Sequence, residues 1–219
     1  MSRTVAIATL GCKTNQFESA AMEERLQQAG FEVIPFNRGA ALVIINTCTV
    51  TAATDAQSRN LIRRARRFNP HCRVVVTGCY AQIDPERLRQ LPGVVLVLGN
   101  AEKKDFLQYL EQDAREPRVA VSDIAAETVA TPLHLTSFAE HSRAFLQIQN
   151  GCDAFCSYCI IPYARGRSRS VPADDILCQV TTLSEQGYAE IVLTGIHIGG
   201  YGQDLDPGLS LLQLIERIE

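Results

Sequence analysis

Apolar residues in the N-terminal half of the chain fall into short unbroken runs, and each run is followed by a segment with helical spacing. Unbroken Val, Ile and Leu runs are typical of parallel strands that are covered on both faces. The pattern predicts five strands, over 4–12, 31–34, 41–48, 73–79 and 94–100. Strands that alternate with helices predict an α/β fold, here a flavodoxin-like parallel sheet.

Helices are predicted where apolar positions recur three and four residues apart. Asn15 is the expected cap of the first helix, and Glu18 completes a capping-box-like pair with it. Gly30 is expected to end that helix. Two further helices are predicted over 52–68 and 101–114.

Hydrophobic density falls between residues 116 and 142, where proline and small polar residues recur. This composition predicts a linker, with a brief edge strand over 119–121. His134 and His141 lie in it and are expected at the surface, because no residue with ligand spacing accompanies them.

Strand–helix alternation returns after residue 143. Strands are predicted over 144–148 and 189–195, with helices from about 171 to 186 and from about 209 onward. This order matches about two units of a β/α barrel, whereas a full barrel needs ~250 residues. The predicted divisions are an N-terminal domain, a linker and a truncated barrel, at 1–115, 116–142 and 143–219.

Composition indicates where the protein is located more than which reaction it performs. The net charge of -3 excludes a basic field over the whole surface, so any nucleic-acid site must be local. No apolar run approaches the ~20 residues of a membrane span, and the first residues show no signal-peptide pattern. Eight cysteines without an export signal predict a reducing compartment, by default the cytoplasm.

Three cysteines directly follow the predicted strand over 144–148, at the spacing C-x3-C-x2-C: Cys152, Cys156 and Cys159. Three thiolates on one loop can hold three irons of a 4Fe-4S cube, and a fourth would complete it. The next cysteine is Cys178, inside a predicted helix. The spacing therefore predicts a cluster with one iron open to a further ligand.

Three alternatives for this loop are weaker. Structural zinc usually takes two C-x2-C pairs, or one pair with histidines, and no histidine follows Cys159 before His197. A redox pair of Cys156 and Cys159 would leave Cys152 unexplained. Buried, unreactive cysteine is the general alternative, and three such residues on one loop disfavour it.

A second group of cysteines stands at the ends of successive predicted strands: Cys12, Cys48 and Cys79. Parallel strands lie ~4.8 Å apart, and sites form beyond their carboxyl ends. These thiols are therefore predicted to converge on one cluster, the alternative being three unrelated core residues. Cys72 and Cys178 fit neither group and are expected to be structural.

Longer motifs surround both groups. The run Gly151–Gly166, together with Thr9–Glu18, Asn46–Val50 and Thr77–Gln82, resembles the tRNA methylthiotransferases, which are radical S-adenosylmethionine enzymes. The resemblance implies a flavodoxin-like domain followed by the first units of a radical S-adenosylmethionine partial TIM barrel. It also implies two 4Fe-4S clusters: a catalytic one on Cys152, Cys156 and Cys159, and an auxiliary one on Cys12, Cys48 and Cys79.

The resemblance also implies a reaction. S-adenosylmethionine binds the open iron, with Tyr158 against its adenine and with Thr194 and Gly195 near its methionine amino group. Its reductive cleavage yields a deoxyadenosyl radical that attacks C2 of a tRNA adenosine. The auxiliary cluster delivers sulfur, and a second S-adenosylmethionine supplies the methyl group. The implied partners are a tRNA anticodon stem-loop and an electron donor of the flavodoxin or ferredoxin type, with no membrane.

Three short motifs bear on the substrate. Gly11–Asn15, Ile161–Gly166 and Leu193–His197 look most like the branch that acts on N6-threonylcarbamoyladenosine beside the anticodon. The branch acting on isopentenyladenosine is the alternative, and a non-catalytic iron–sulfur electron-transfer or cluster-carrier protein is the alternative from another class. His197 is either a substrate contact or a packed histidine. The C-terminal part of the family is expected to be missing, which leaves the activity of this chain in question.

Two arginine-rich stretches are candidate phosphate contacts. Five arginines lie on the predicted helix over 52–68, where a solvated helix face is the alternative to tRNA binding. Arg165, Arg167 and Arg169 follow the cysteine loop. They are expected either to meet anticodon-loop phosphates or to pair with Asp174 and Asp175.

Overall fold

The computed structural model describes residues 3–112, 116–130, 133–136 and 142–219. The strands in these residues are β1 Thr4–Thr9, β2 Glu32–Val33, β3 Leu42–Thr47, β4 Arg73–Gly78, β5 Val94–Leu98, β6 Arg118–Ala120, β7 Ala144–Gln147, β8 Gln149–Asn150, β9 Arg169–Ser170 and β10 Ile191–Thr194. The α-helices are α1 Lys13–Gln28, α2 Ala52–Phe68, α3 Cys79–Ile83, α4 Pro85–Arg89, α5 Phe106–Glu111, α6 Ile161–Arg165, α7 Ala173–Glu185 and α8 Leu211–Ile218.

The first six strands form one sheet in the order β2-β1-β3-β4-β5-β6, and every neighbouring pair is parallel. The first five follow the flavodoxin-like order, in which the direction of winding reverses between β1 and β3. The predicted α/β class is therefore confirmed, and the brief edge strand expected near 119–121 is β6. Ligands of such sheets bind at this reversal, beyond the carboxyl ends of the strands.

The central strand β3 is buried along its whole length, which explains its unbroken apolar run. Val43 and Ile45 pack in the cluster on one face of the sheet, and Leu42 and Ile44 in the cluster on the other. Each fully buried side chain of this size contributes about 1.5–3 kcal/mol through loss of apolar surface from water. The sheet therefore provides a rigid base for the loops at its carboxyl edge.

The second part of the chain packs directly against the first. Strands β7 and β10 pair in parallel, as barrel strands do, and β8 pairs antiparallel with β9. Helix α1 is shared between the two parts: Phe17 and Ala21 pack with the core around β7, whereas Met22 and Leu26 pack against the sheet. The relative placement of the two cysteine groups therefore depends on α1.

One prediction about helices is wrong, and a second is confirmed only in part because residues 113 and 114 lie outside the described residues. Helix α1 begins at Lys13 with Cys12 as its N-cap, while Asn15 and Glu18 lie inside it and are buried. Their side chains bind partners from distant segments and so are not available for capping. The helix expected over 101–114 is a 3-10 helix, Glu102–Asp105, followed by α5.

The predictions for Cys72, Cys178 and the two linker histidines have different outcomes. Cys72 is buried in the core, as expected, whereas Cys178 is exposed on α7 and takes no part in core packing. His134 is exposed, and His141 lies outside the described residues. Within the described ranges, none of the helices has the length and apolar character needed to cross a membrane.

Candidate metal centre

The carboxyl edge of the sheet brings Cys12, Cys48 and Cys79 together. Cys12 caps α1 after β1, Cys48 follows β3, and Cys79 begins α3 directly after β4. Burial raises the pKa of the Cys48 thiol, and the nearby Cys79 and Cys12 raise it further. The Cys48 thiol therefore lies within electrostatic reach of both Cys79 and Cys12. That the three thiols hold one cluster stays a prediction.

Two glycines at this edge of the sheet leave no room for a side chain. Gly11 has φ +98°, and a Cβ there would stand 3.0 Å from the Cys48 sulfur. Gly78 has φ +94°, and a Cβ there would come within 2.4 Å of the Thr47 carbonyl oxygen. L-residues with a side chain rarely adopt either conformation. Glycine is therefore required for the backbone to approach the cysteine loops this closely.

The loop that carries Cys152, Cys156 and Cys159 is closed by its own backbone. The Cys152 N–H donates to Gly166 O at 3.1 Å, and the Cys159 N–H donates to Cys156 O at 2.9 Å. Gly151 has φ +72°, and a Cβ there would come within 1.9 Å of the Arg167 carbonyl oxygen. Cys156 is exposed and the other two cysteines are half-buried, so this group faces outward.

The predicted S-adenosylmethionine contacts occupy contrasting positions. Tyr158 is 89 % exposed, free to cover a ligand on the loop. Thr194 is buried at the end of β10, and its carbonyl oxygen accepts from Ile148 N–H at 2.9 Å. A Cβ on Gly195 would lie 3.0 Å from Gln149 O. Their roles toward a ligand stay predictions.

Gln149, which sequence reasoning missed, connects these two regions. Its side chain is buried, and its Oε1 accepts from the N–H groups of Ile196 and His197 at 3.0 and 2.8 Å. Its Nε2 donates to Gly151 O at 2.7 Å. The amide therefore holds the cysteine loop against the loop after β10. Its position at the end of the apolar run, three residues before Cys152, was the available signal.

A buried ionic group lies between the two cysteine groups. Glu18 receives hydrogen bonds from Lys103 Nζ and, at 2.8 Å, from Arg165 Nη1. All three side chains are at most 4 % exposed. Burial alone would raise the pKa of Glu18, but Arg165 and Lys103 outweigh it and lower that pKa to about 2.

The pKa values of the two cations, Lys103 and Arg165, are shifted in opposite directions. Burial lowers the pKa of Lys103, and Glu18 opposes that effect only in part. Burial acts on Arg165 in the same direction, but Glu18, Cys79 and Cys12 together raise its pKa. Two cations therefore share one carboxylate, and the remaining positive charge lies near Cys12 and Cys79.

Three arginines follow the cysteine loop, and for two of them both predictions, phosphate contact and pairing with Asp174 or Asp175, are wrong. Arg165 and Arg169 are buried, which keeps them from anticodon-loop phosphates, and their hydrogen-bond partners do not include Asp174 or Asp175. Arg169 donates to the carbonyl oxygens of Glu127 and Arg165. Arg167 is exposed and lies 3.5 Å from Asp153. This segment is thus mainly part of the interface between the two halves of the chain.

The chemistry of the two donor sets, each made of three thiols, fits iron–sulfur clusters. In the part of the chain that the structure describes, no three His, Cys, Asp or Glu side chains are placed to hold one metal ion. Thiolates of a cube bind different irons, so they stand farther apart than ligands that share one ion. Soft thiolates on glycine-opened loops suit such a group. The buried Nε of Arg165, near Cys12 and Cys79, has no hydrogen-bond partner among the described residues.

The class of the fold is shared with a solved structure. Superposition on TsrM, a radical S-adenosylmethionine methyltransferase from Kitasatospora setae, gives a TM-score of 0.56 at 18% identity. The match covers 91% of this chain and 50% of that one. This similarity shows the arrangement of the fold alone.

Sequence comparisons are more specific. Residues 4–99, which contain the first five strands of the sheet, match the model described as Uncharacterized protein family UPF0004. The chain is 45% identical to the threonylcarbamoyladenosine tRNA methylthiotransferase MtaB of Bacillus subtilis, covering 92% of this chain and 45% of that protein. These matches confirm the resemblance to tRNA methylthiotransferases.

Two other relatives extend the comparison. The MtaB of Aquifex aeolicus is 42% identical over 98% of this chain and 52% of its own length. The tRNA-2-methylthio-N(6)-dimethylallyladenosine synthase of Moorella thermoacetica is 33% identical over 99% of this chain and 50% of its own. The chain spans about half the length of the curated relatives it matches.

Proposed function

We propose that this chain carries the cluster-binding domains of a radical S-adenosylmethionine methylthiotransferase that acts on tRNA. The observation that carries the proposal is the presence of two cysteine trios on adjoining elements of one fold. One trio lies at the carboxyl edge of the sheet, and the other lies on the loop after β8. Each trio leaves one iron of a cube without a protein thiolate.

The residues of the chain have separable tasks in this proposal. Cys152, Cys156 and Cys159 would hold the cluster that binds S-adenosylmethionine, and Cys12, Cys48 and Cys79 would hold the auxiliary cluster. The bound groups supply the reductive cleavage of S-adenosylmethionine and the sulfur. Tyr158, Thr194 and Gly195 would orient S-adenosylmethionine. The structure supports this division because Gln149 fixes the cysteine loop to the loop that follows Thr194.

We propose N6-threonylcarbamoyladenosine as the substrate nucleoside, modified at C2. The relatives named for this nucleoside are 45% and 42% identical, whereas the relative named for dimethylallyladenosine is 33% identical. The motifs Gly11–Asn15 and Leu193–His197 favour the same branch. A tRNA substrate, an electron donor of the flavodoxin or ferredoxin type and a cytoplasmic location complete the proposal. Eight unpaired cysteines suit such a reducing compartment.

Nucleoside analysis tests the reaction and its substrate together. After anaerobic reconstitution with iron and sulfide, the protein is incubated with dithionite, S-adenosylmethionine and tRNA that carries either modified adenosine. A mass increase equal to one methylthio group is expected on threonylcarbamoyladenosine. An increase on isopentenyladenosine alone would move the protein to the other branch. Loaded clusters with no 5′-deoxyadenosine and no product would favour the cluster-carrier alternative.

An arginine face on α2 provides a local site for tRNA phosphates. Arg63, Arg64 and Arg67 line a cleft that also includes Leu10, two residues before Cys12. All three arginines are exposed, and none of the ion pairs in the described ranges involves an arginine of α2. Exposed guanidinium groups whose charge is not neutralised by a carboxylate suit a polyanion. This placement favours phosphate contact over a merely solvated helix face.

Replacing Arg63 and Arg67 by glutamine is therefore expected to weaken tRNA binding and to flatten its salt dependence. Each lost phosphate contact lowers the slope of log affinity against log salt by about 0.7–0.9. The matched control replaces Arg38 and Arg73, which are exposed near the amino ends of β3 and β4, at the opposite edge of the sheet from Cys12, Cys48 and Cys79. Equal slopes for both double variants, measured by filter binding, would contradict a tRNA contact on α2.

A further inference from the structure

Arg165 lies at the junction of the two halves of the chain. It is the last residue of α6, which follows the Cys152–Cys159 loop, and its side chain is fully buried. Neighbouring backbone is fixed as well: Asn100 Nδ2 donates to Ala164 O at 2.7 Å. A Cβ on Gly166 would come within 2.4 Å of Ile124 O. The start of the Arg165 side chain is therefore held against the N-terminal domain.

The guanidinium group bridges two asparagines. Its Nη1 donates to Asn150 Oδ1 at 2.9 Å, and its Nη2 donates to Asn15 Oδ1. Glu18 anchors the same group through contacts of 2.8 and 3.3 Å to Nη1 and Nη2. A planar fork with fixed donor directions can make these bonds together, whereas a lysine ammonium cannot reproduce their geometry.

Each asparagine holds one group of cysteines. Asn150 Oδ1 also accepts from the Gly151 N–H at 2.9 Å, directly before Cys152. Asn15 Nδ2 donates to Leu10 O at 2.6 Å and to Thr47 O at 3.0 Å. Leu10 lies two residues before Cys12, and Thr47 lies directly before Cys48.

The third strand-end cysteine is connected through Thr47. Its Oγ1 donates to Thr77 O at 2.5 Å and accepts from the Ala81 N–H at 3.3 Å. These two residues flank Cys79. A continuous path of hydrogen bonds therefore runs from the Cys152 loop through Arg165 to the loops of all three strand-end cysteines.

We propose that Arg165 is a positioning residue that sets the distance and orientation between the two cysteine trios. The inference rests on the proposed function, in which one substrate nucleoside must be reached from both trios. Displacing reacting groups by about 1 Å can cost on the order of 100-fold in rate. Arg165 acts on both trios through Asn15 and Asn150, and Glu18 keeps it in place.

The test compares Arg165→Lys with Arg143→Lys, an arginine of an exposed Arg–Glu pair in the same half of the chain. Hydrogen exchange of the chain without iron is measured first. In Arg165→Lys, backbone amides over 10–15 and over 150–152 are expected to exchange about tenfold faster, since each loses a hydrogen-bonded anchor. Arg143→Lys is expected to match the wild type in both segments.

The second measurement uses the iron-loaded chain. Arg165→Lys is expected to keep the iron content of both trios but to change the magnetic interaction between the two reduced clusters, seen by electron paramagnetic resonance. A purely structural role would not change this interaction at constant iron content. Asn150→Ala serves if Arg165→Lys does not fold, because it removes only the contact on the Cys152 side. It is expected to accelerate exchange over 150–152 and to change the same interaction.

Several outcomes would overturn the inference. Unchanged exchange in Arg165→Lys, acceleration in only one of its two segments, or an unchanged magnetic interaction would each do so. An unchanged magnetic interaction between the clusters in Asn150→Ala would also overturn the inference. If neither trio binds iron in the wild type, the proposed function fails separately. Exchange in the iron-free chain then decides whether Arg165 couples the loops.

Discussion

Replacing Cys152, Cys156 and Cys159 together by alanine is expected to abolish formation of 5′-deoxyadenosine and to leave about half of the bound iron. The remaining trio, Cys12, Cys48 and Cys79, supplies thiolates for one cube of ~4 irons. The reciprocal triple variant is expected to keep 5′-deoxyadenosine formation and to lose methylthio transfer. Iron analysis with electron paramagnetic resonance measures the bound clusters, and chromatography measures 5′-deoxyadenosine. Mass analysis of the tRNA nucleosides measures methylthio transfer.

The control for this experiment is Cys178→Ala, because Cys178 is exposed on α7 and belongs to neither trio. It is expected to match the wild type in iron content and in cleavage of S-adenosylmethionine. If either triple variant lost all its iron, the division into two clusters would be wrong.

Replacing Glu18 by glutamine is expected to destabilise the folded chain strongly. The substitution keeps the shape of the side chain but leaves Lys103 and Arg165 buried without a counter-charge. Removing one partner of a buried ion pair typically costs 3–5 kcal/mol. Urea unfolding measures the loss, and Glu190→Gln, which removes the exposed partner of Arg143, is expected to cost below about 1 kcal/mol.

The pH dependence of unfolding provides a second test of the ion pairs of Glu18. The pKa of Glu18 is lowered to about 2 from 4.5, so its ionised form stabilises the folded state. By linkage, this contribution of about 3 kcal/mol is present above pH ~5 and is lost as the pH falls toward ~2. Glu18→Gln is expected to remove that part of the acid dependence. An unchanged acid transition would show that Glu18 does not titrate as the ion pairs require.

Much of the fold was readable from local pattern. The apolar runs marked β1, β3, β4 and β5, because strands buried on both faces need side chains of one kind along their length. Helix α2 was predicted with its observed bounds. The short helices α3, α4 and α6 were missed, since each covers little more than one turn and leaves no periodic signal.

The candidate site shows the same contrast at the level of single residues. The cysteines were found because spacing within a loop and position after a strand are properties of the sequence itself. Asn15 and Glu18 were assigned to a helix cap, which uses the same residue types near the same position. Their true partners decided otherwise: Arg165 lies 150 residues from Asn15 and 147 from Glu18.

The sequence by itself determined the α/β class, the six candidate ligands and the family they resemble, since all three depend on residue type and short-range spacing. The tertiary structure alone decided which buried polar groups meet: Glu18 with Lys103 and Arg165, and Gln149 with the loop after β10. A buried polar group must find a partner, but the chain can bring that partner from any distance along the sequence. Local sequence pattern therefore does not predict which buried polar groups contact each other.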